Sequence, residues 1–426
     1  MKNIVCIVLV NLLIVGISIA QQKNEITLQY FYDRIETDYP TSKKIELQEK
    51  ITALNTEIKQ SGLYPEVLIS GSASYQSEVT DVSFGGPTAP SFSKDHYNVS
   101  IDLSQPIFDG GRTKGLKELE EKNGEVQQAG VKVELWNIRN QIDQVYFGIL
   151  LTNKQRETVE LLIKDLNEQL SLISSKVKNG ILLPSNELIL KAELLKTRQQ
   201  LAQVNSNIAS GYEVLGEIIG EPVSSDTELI IPSQSNFETL MKAEAGRPEL
   251  EVFARKHKAL DAQIGITDSE KLPTVSAFAK TSYGRPGFDA FDDDLHFYWI
   301  VGLRAQWSFR NWRNSEKKTA VIQIQKDQNE ADEDAFERQL LSSLHNVEQN
   351  ISAIKEQIAL DEELVELRKE VVKEKSSQLR QGVITSTEYV TELNALSRAQ
   401  LNVEIHKVQL VQAKNEYLTK RGISWK

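Results

Sequence analysis

Cysteine is nearly absent from this sequence, because Cys6 is the only one among 426 residues. A single thiol excludes an internal disulfide scaffold. Glycine (22) and proline (11) are too scarce for a collagen-like or low-complexity chain. Acidic side chains outnumber basic ones by 60 to 49, and the net charge of −11 has no basic cluster beside it. Nucleic acid is therefore not expected as a partner, since phosphate binding needs concentrated Lys and Arg.

Motifs of catalysis are also missing. The five histidines are dispersed without metal-ligand spacing, and no serine-hydrolase, nucleotide-binding or zinc-protease motif occurs. The sequence therefore predicts no enzyme, no cofactor and no metal site, and a hydrolase is the most distant alternative. The acidic run Asp292, Asp293 and Asp294 could bind a divalent cation, or it could be a solvated stretch of an outer loop.

Residues 1–20 have the pattern of a secretory signal peptide. Lys2 is followed by an apolar run over 4–15 and by small residues up to Ala20. The mature chain would then begin near Gln21 and would contain no thiol. A retained amino-terminal membrane anchor is the alternative. Because no later stretch approaches the ~18 apolar residues of a spanning helix, insertion of the mature chain into a membrane would have to use β-strands.

The sequence repeats itself once. Pro40 and Pro65 return as Pro248 and Pro273, 208 residues later. Farther along, Gly180 returns as Gly382, 202 residues later. The two offsets differ by six residues, which predicts a deletion in a loop between Pro273 and about residue 301. The chain is thus predicted to contain two copies of one unit of roughly 200 residues. Their ranges are 21–222 and 246–426, with a linker over 223–245.

Each copy is predicted to contain a helix followed by two strands. In the first strand one face is apolar and the other carries mainly serines, since Val67, Ile69, Ala73 and Tyr75 alternate with Leu68, Ser70, Ser72 and Ser74. A soluble, half-buried sheet has this pattern. Strands of about ten residues also match the length that crosses a bilayer, and aromatic side chains flank them, as at a membrane interface. The export signal favours the membrane. The predicted strands cover 63–76, 96–108, 272–284 and 297–309, and the flanking aromatics are Phe84, Phe92, Tyr97, Phe288, Phe291, Phe297, Tyr298, Trp299 and Trp312.

Four strands cannot close a barrel, and open sheet edges are not tolerated in lipid. The smallest barrels have ~8 strands, so several chains would have to contribute their strands to one barrel. Three chains would give 12 strands, although the sequence alone does not decide this number.

Two long helices follow the strands in each copy. Their apolar residues recur at alternating steps of three and four, the heptad pattern of a coiled coil. The first has 66 residues without proline between Thr113 and Lys178 and would make a rod of about 100 Å. Gly180 and Gly382 follow the first long helix of each copy, where glycine readily adopts the left-handed conformation that ends a helix. Ser185 and Ser386 or Thr387 are the expected N-caps of the returning helices. The predicted helices cover 112–179, 185–219, 313–381 and 386–421.

These residues lead to a family resemblance. The segment Leu-Ser-Gln-Pro-Ile-Phe-Asp-Gly-Gly-Arg at 103–112 is similar to the strand-to-helix junction of the TolC-like outer-membrane efflux proteins, and it includes Pro106, Phe108, Asp109, Gly110 and Gly111. Its second-copy counterpart at 307–313 departs from the pattern, since it lacks the proline and both glycines. The resemblance covers essentially the whole mature chain.

The resemblance implies a mainly α fold with a β-barrel part. A long coiled-coil barrel of helices would continue into a transmembrane β-barrel with four strands per chain and 12 in a homotrimer. The protein would be the exit duct of a tripartite export system in the outer membrane, with its helices in the periplasm, and would work with a periplasmic adaptor and an inner-membrane pump. The alternative from another class is a secreted or surface coiled-coil scaffold without a pore.

The resemblance also implies roles for particular residues. The turns after the long helices would be the tips that dock the adaptor. Alternatively, these turns only end one helix and lead into the next. Glu388 and Glu392 would line the closed periplasmic entrance, whereas Glu388 could instead be a solvated residue in the first turn of a helix, favoured by the dipole. The predicted tip residues are Gly180, Ile181, Leu182, Gly382, Val383 and Ile384.

Overall fold

A computed structural model of the protein describes residues 25–79, 92–233, 235–243, 245–289 and 291–423. The predicted leader over 1–20 and the aromatic residue Phe84 lie outside these residues. The chain order of elements is β1 (Glu25–Ile26), α1 (Leu28–Thr37), α2 (Lys43–Gln60), β2 (Glu66–Tyr75), β3 (Asp95–Phe108), α3 (Arg112–Lys178), α4 (Pro184–Ile219), β4 (Glu228–Leu229), α5 (Phe237–Leu240), α6 (Pro248–Ser269), β5 (Thr274–Arg285), β6 (His296–Gln306), α7 (Phe309–Arg380) and α8 (Ser386–Arg421).

The chain forms two compact units, and α3 and α7 contribute residues to both. One unit, here called the sheet unit, consists of Lys44–Lys132 and Pro248–Glu337. The other, here called the helical unit, consists of the described parts of Met1–Lys43, Val133–Arg247 and Arg338–Lys426. Among the helices of the described residues, none has an apolar stretch long enough to cross a membrane.

The sheet unit is built on one antiparallel sheet with the strand order β2-β3-β5-β6. The two hairpins have related registers, because Val67 pairs with Leu103 and Val275 pairs with Ala305. The strands β3 and β5 join the hairpins in the middle of the sheet. The strands β2 and β6 therefore lie at its two edges, where each has one side without a strand partner among the described residues.

One helix precedes each hairpin, and both of these helices contact α3. Helix α6 lies against α3, where Lys132 Nζ is 2.9 Å from Glu251 Oε2, and it also contacts α7, where Lys326 Nζ is 2.7 Å from Asp261 Oδ1. Helix α2 contacts α3 through polar groups, with Asn55 donating a 2.7 Å hydrogen bond to Glu120. No residue of α2 is buried.

The helical unit packs α3, α4, α7 and α8 around apolar side chains from the predicted seams. Leu166 and Ile173 of α3 meet Leu190 of α4 and Leu379 of α7, and all four are fully buried. A second cluster joins Leu344, Ile351 and other residues of α7 to Tyr417 of α8. The short parallel pair β1–β4 lies beside these helices, and Tyr146 of α3 donates a 2.6 Å hydrogen bond to the carbonyl of Ile230 next to it.

The strand-to-helix boundary of the second hairpin differs from its predicted position. Strand β6 ends at Gln306, and α7 begins at Phe309, four residues before the predicted start at 313. Ser308 caps the helix, since its hydroxyl accepts a 3.4 Å hydrogen bond from the backbone N–H of Asn311. With no glycine or proline after Ser308, nothing in the local sequence delays the helix.

Candidate functional site

The sheet turns an apolar face outward. Side chains such as Val67, Ile69, Trp299 and Leu303 are exposed, and Ile69 retains 70% of its accessible surface. Along all four strands the exposed apolar set also includes Tyr75, Tyr97, Val99, Ile101, Tyr283, Phe297 and Val301. A soluble sheet would cover such a face with a second layer. Nothing in the described part of the chain covers this one.

The opposite face of the sheet is polar and hydrogen-bonded. The hydroxyl groups of Ser70 and Ser100 are 2.8 Å apart, and Ser100 donates a 2.8 Å hydrogen bond to Asp102. Ser282 donates a 2.9 Å hydrogen bond to Asn98 on the neighbouring strand. The usual arrangement of a water-soluble sheet, apolar inside and polar outside, is therefore reversed here.

The first strand-to-helix junction is a tight turn. Asp109 accepts hydrogen bonds from the backbone N–H groups of Gly111 at 2.9 Å and Thr113 at 2.7 Å, which caps helix α3. Gly110 and Gly111 both have positive φ angles, 69° and 84°. A Cβ atom on Gly110 would lie 2.8 Å from the carbonyl oxygen of Ser269, so this position cannot take a side chain without movement of the backbone.

Pro106 and Phe108 lie where the pairing of β3 with β5 becomes irregular. The register shifts between these two residues, as expected because proline has no N–H to donate to the sheet. The pairing of β5 with β6 has no register shift, and Trp312 lies in the first turn of α7, after the end of β6.

The two helix turns have the same geometry. Gly180 has φ 72° and Gly382 has φ 76°, both left-handed. The N–H of Ile181 donates to the carbonyl of Lys176 at 2.9 Å, and that of Val383 donates to the carbonyl of Gln378 at 3.0 Å. These bonds close the helix ends by the Schellman motif, which a residue with a Cβ would strain.

The two turns lie together, and each has one apolar side chain pointing inward and one outward. Leu182 and Ile384 pack on the apolar cluster between the helices. Ile181 and Val383 are exposed by 61% and 69%. A Cβ atom on Gly382 would lie 3.4 Å from the Leu182 side chain. The structure thus brings the six predicted tip residues into one surface with two protruding apolar side chains.

Polar groups of the first turn also cap the second. The ammonium group of Lys176 donates a hydrogen bond to the carbonyl of Arg380 at the end of α7. Asn186 accepts a 2.8 Å hydrogen bond from the N–H of Ser386 at the start of α8. Because both bonds use backbone groups that a helix end leaves without partners, they tie the two turns into one unit.

The N-caps differ from the predicted ones. Helix α4 begins with Pro184, which needs no hydrogen-bond partner, after Leu183 as the uncapped N-cap. Helix α8 is capped by Thr385, whose hydroxyl accepts from the N–H of Glu388 while the Glu388 side chain accepts from the N–H of Thr385. The expected caps at Ser185 and at Ser386 or Thr387 were therefore wrong by one or two residues, because a proline and a capping box determine the starts.

The two carboxylates predicted for the entrance have partners within the chain. Glu388 accepts hydrogen bonds from the N–H of Thr385 at 3.3 Å and from its hydroxyl at 3.2 Å. Glu392 accepts a 2.8 Å hydrogen bond from Arg368 of α7. Glu388 is exposed and Glu392 is half-buried. The structure places Glu388 in the first helical turn, as the alternative interpretation has it, and leaves its part in an entrance as a prediction.

The acidic run makes separate contacts with protein groups. Asp293 accepts from the Ser93 N–H at 2.9 Å and from Arg285 at 3.1 Å, while Asp292 is 2.8 Å from His296. Over the described residues, no group of three His, Cys, Asp or Glu side chains could hold a metal ion.

The helical unit also contains a buried polar cluster that was not predicted from the sequence. Asp143 of α3 accepts a hydrogen bond from Tyr32 of α1, and burial raises the pKa of its carboxyl to about 6. Asn415 of α8 donates a 3.4 Å hydrogen bond to the Tyr32 hydroxyl. The guanidinium of Arg139 stacks 4.8 Å from the Tyr32 ring centre. The only sequence signal is the Arg139–Asp143 pair, one helical turn apart beside the apolar seam.

The exposed apolar sheet and the long helices define a class of membrane protein that inserts by β-strands and carries an extended helical part in water. The model of the family described as outer membrane efflux protein matches residues 44–221 and again 239–420. The chain belongs to this family. Membership places it in the cell outer membrane, with its helical part in the periplasm.

Solved structures show the same fold at low sequence identity. The outer membrane protein VceC from Vibrio cholerae is 15% identical, with a TM-score of 0.67, and the match covers 94% of this chain and 97% of VceC. The CmeC outer membrane channel of Campylobacter jejuni is 13% identical, with a TM-score of 0.64 and coverage of 94% and 86%. The MtrE outer membrane channel of Neisseria gonorrhoeae is 12% identical, with a TM-score of 0.65 and coverage of 94% and 89%. Compared by sequence with curated proteins, the chain has no significant match.

Proposed function

We propose that this protein is the outer-membrane exit duct of a tripartite export system, in which a periplasmic adaptor and an inner-membrane pump deliver substrates that the duct conducts passively. The observation that carries the proposal is the four-stranded sheet with an exposed apolar face and two open edges. Open edges have no stable place in lipid, so the sheets of several chains close one barrel. Three chains would supply 12 strands and form a homotrimer.

The internal repeat belongs to this proposal. The two copies, 21–222 and 246–426 with a linker over 223–245, give each chain two equivalent hairpins and four long helices. The element order α2-β2-β3-α3-α4 recurs as α6-β5-β6-α7-α8, which supports the repeat. Three chains would then place 12 helices in the periplasmic part.

The paired helix turns are the proposed docking surface for the adaptor. Ile181 and Val383 protrude from a surface held by cross-capping hydrogen bonds, and exposed apolar side chains on a rigid frame are suited to protein contact. Glu388 and Glu392 follow the second turn and are the proposed carboxylates of the periplasmic entrance. Three copies of the Glu388 carboxylate around a narrow pore would attract cations and repel anions.

The experiment is to extract the protein from membranes in mild detergent, determine its mass, and measure its conductance in planar bilayers. A particle with the mass of three chains that conducts ions is the expected result. A water-soluble monomer that never partitions with membranes would overturn the proposal in favour of a coiled-coil scaffold. A non-conducting trimer would support the closed barrel and would indicate a closed entrance.

A further inference from the structure

The exposed apolar face of strand β6 continues past the end of the strand. Within β6 the exposed apolar residues of this face are Phe297, Trp299, Val301 and Leu303. The same two-residue spacing leads on through Ala305 to Trp307 and Phe309, which lie between β6 and the first turn of α7 and are also exposed. The apolar surface of the sheet therefore ends in two aromatic side chains at the second strand-to-helix junction.

These two aromatic side chains are held by the chain. The indole Nε1 of Trp307 donates a 3.1 Å hydrogen bond to the carbonyl of Lys271. The ring centres of Trp307 and Phe309 are 4.6 Å apart. Aromatic side chains, tryptophan above all, are enriched where the hydrocarbon of a membrane meets water. The junction thus has the aromatic composition of a membrane interface.

Two arginines follow the rings in the chain. Arg310 and Arg313 are three residues apart in α7, so their side chains leave the same side of the helix. Both are exposed, and within the described ranges neither guanidinium has a hydrogen-bond or ion-pair partner. The carboxylate of Glu270, which also faces the start of α7, is paired with Lys318 and Arg112. The two arginines are therefore a concentration of free positive charge in a chain whose net charge is −11.

The first copy builds the same kind of junction without this charge. At the offset of 202 residues, Arg310 and Arg313 correspond to Phe108 and Gly111. Between those two residues, the carboxylate of Asp109 caps helix α3. A strand-to-helix turn therefore does not need the two arginines, and their presence in the second copy calls for a ligand of negative charge.

The repeat also indicates that the second junction stays accessible when another strand pairs with β6. Phe309 and Arg310 correspond to Ile107 and Phe108 at the end of β3, a strand that has a neighbour on each side. Ile107 and Phe108 nevertheless remain 59% and 46% exposed. A Cβ atom on Gly111 would meet no atom within 4 Å. Pairing along the edge of the sheet is therefore compatible with an open site.

We propose that Trp307, Phe309, Arg310 and Arg313 bind an anionic phospholipid at the periplasmic border of the membrane. Helix α7 leads from the sheet into the helical unit, which places this junction on the periplasmic side. The rings lie along the lipid chains, and the planar guanidinium groups donate hydrogen bonds to the headgroup phosphate. An anionic headgroup is preferred to a zwitterionic one, because it has no ammonium group that the arginines would repel. This inference rests on the proposed insertion of the sheet into lipid and adds the lipid chemistry at its border.

Native mass spectrometry of the detergent-extracted protein tests the site by counting bound lipids. Titrated with phosphatidylglycerol, the parent should retain one lipid per chain in the presence of an equal concentration of phosphatidylcholine. Arg310→Gln combined with Arg313→Gln should weaken this binding about tenfold, because charge-assisted hydrogen bonds are lost. Raising the salt concentration should weaken binding to the parent and have little effect on this variant.

Two further variants show whether the position and shape of the charge matter. Arg112→Gln combined with Lys114→Gln removes two cations from the first junction and should change binding less than about twofold, since Arg112 already faces Glu270. Arg310→Lys combined with Arg313→Lys keeps the charge and loses the planar fork. Its binding should therefore lie between those of the parent and the glutamine variant.

The outcomes separate this inference from the proposed function. Equal retention of the two lipids, or equal losses in the two glutamine variants, would overturn the site and leave a conducting oligomer intact. Displacement of the lipid by excess inorganic phosphate would assign the arginines to a free anion and overturn the lipid. Loss of the oligomer in the Arg310 and Arg313 variants would place these side chains between chains and also overturn it. A water-soluble protein that never partitions with membranes would overturn both proposals.

Discussion

The paired helix turns and the strand sheet place their apolar residues in opposite ways. Around the turns, Leu166 and Leu190 are fully buried between the helices. In the sheet, Ile69 and Leu303 face outward, while Ser100 and Ser282 are buried on the other side. One chain therefore contains a region that buries its apolar side chains and a region that exposes them.

Substitution of an apolar side chain should therefore have different consequences in the two regions. In the helical unit the apolar surface is removed from water by the chain's own side chains, so packing defects should destabilise it directly. Under the proposed function, lipid covers the same kind of side chain in the sheet unit, so that a cavity should destabilise this unit less than a charge does.

The largest expected effect is a cavity beneath the turns. Leu190→Ala should reduce the free energy of unfolding by about 2–5 kcal/mol, because Leu190 is fully buried and the packed helices cannot collapse completely into the space. Thermal unfolding followed by circular dichroism measures this. Leu188→Ala is the matched control two residues away, since Leu188 is 63% exposed. Equal effects of the two substitutions would contradict the assignment of an apolar core here.

The next effect is a charge on the sheet. Ile69→Arg should cost about 2–4 kcal/mol in each chain at the middle of a bilayer, and the fraction of protein recovered from the outer membrane should fall. Ile181→Arg, at a turn with similar exposure, should change stability by less than about 0.5 kcal/mol, since its side chain remains in water. Normal membrane recovery of the Ile69→Arg variant would mean that this face does not meet lipid.

The sequence was sufficient for those parts of the fold that depend on periodicity. Alternation predicted the strands that contain Val67 and Ile69, and the heptad steps predicted the helices around Leu166 and Leu190, because both patterns follow from the geometry of the backbone. The turns at Gly180 and Gly382 were also predictable, since few residues other than glycine adopt a positive φ.

Features that depend on contacts between distant residues were not predictable. The bond from Ser386 to Asn186 joins residues 200 positions apart, and no local pattern signals it. The same holds for Tyr32 and Asp143. The early start of α7 was missed for another reason, because Ser308 can both continue a strand and cap a helix, and only the end of the pairing at Gln306 decides between them.

A smaller effect concerns pH and the helical unit. Because burial raises the pKa of Asp143 to about 6, above the value near 3.9 of an unfolded aspartate, the folded state favours the protonated carboxyl. Its contribution to stability is complete below about pH 4 and is lost as the pH rises through 6, a change of about 3 kcal/mol. Asp143→Asn should remove this loss, since an amide can still accept from Tyr32, and should raise the melting temperature at pH 7.5 relative to the parent.

Glu221 is the control, because its pKa is shifted in the opposite direction from that of Asp143. A hydrogen bond from Arg34 lowers the pKa of Glu221, so its contribution is present above the unfolded pKa and is lost as the pH falls. Glu221→Gln should therefore lower the melting temperature at pH 7.5 and change it little in acid. If Asp143→Asn instead gave the pH dependence expected for Glu221→Gln, the buried carboxyl would be charged in the folded protein.

The smallest change in stability should have the clearest functional result. Gly382 has φ 76°, so Gly382→Val should cost about 1–2 kcal/mol locally and alter the turn that holds Val383 outward. Export should fall, while recovery from the outer membrane should remain normal because the sheet unit is unchanged.

Gly382→Asn should retain more export, since asparagine tolerates the left-handed conformation. Gly130→Val is the control, because a Cβ on Gly130 in α3 meets no atom within 4 Å and its φ is not positive. Export at the parent level in the Gly382→Val variant would remove the turn from the functional surface and leave it as a helix end, whereas loss of membrane recovery would show that the two regions do not fold independently.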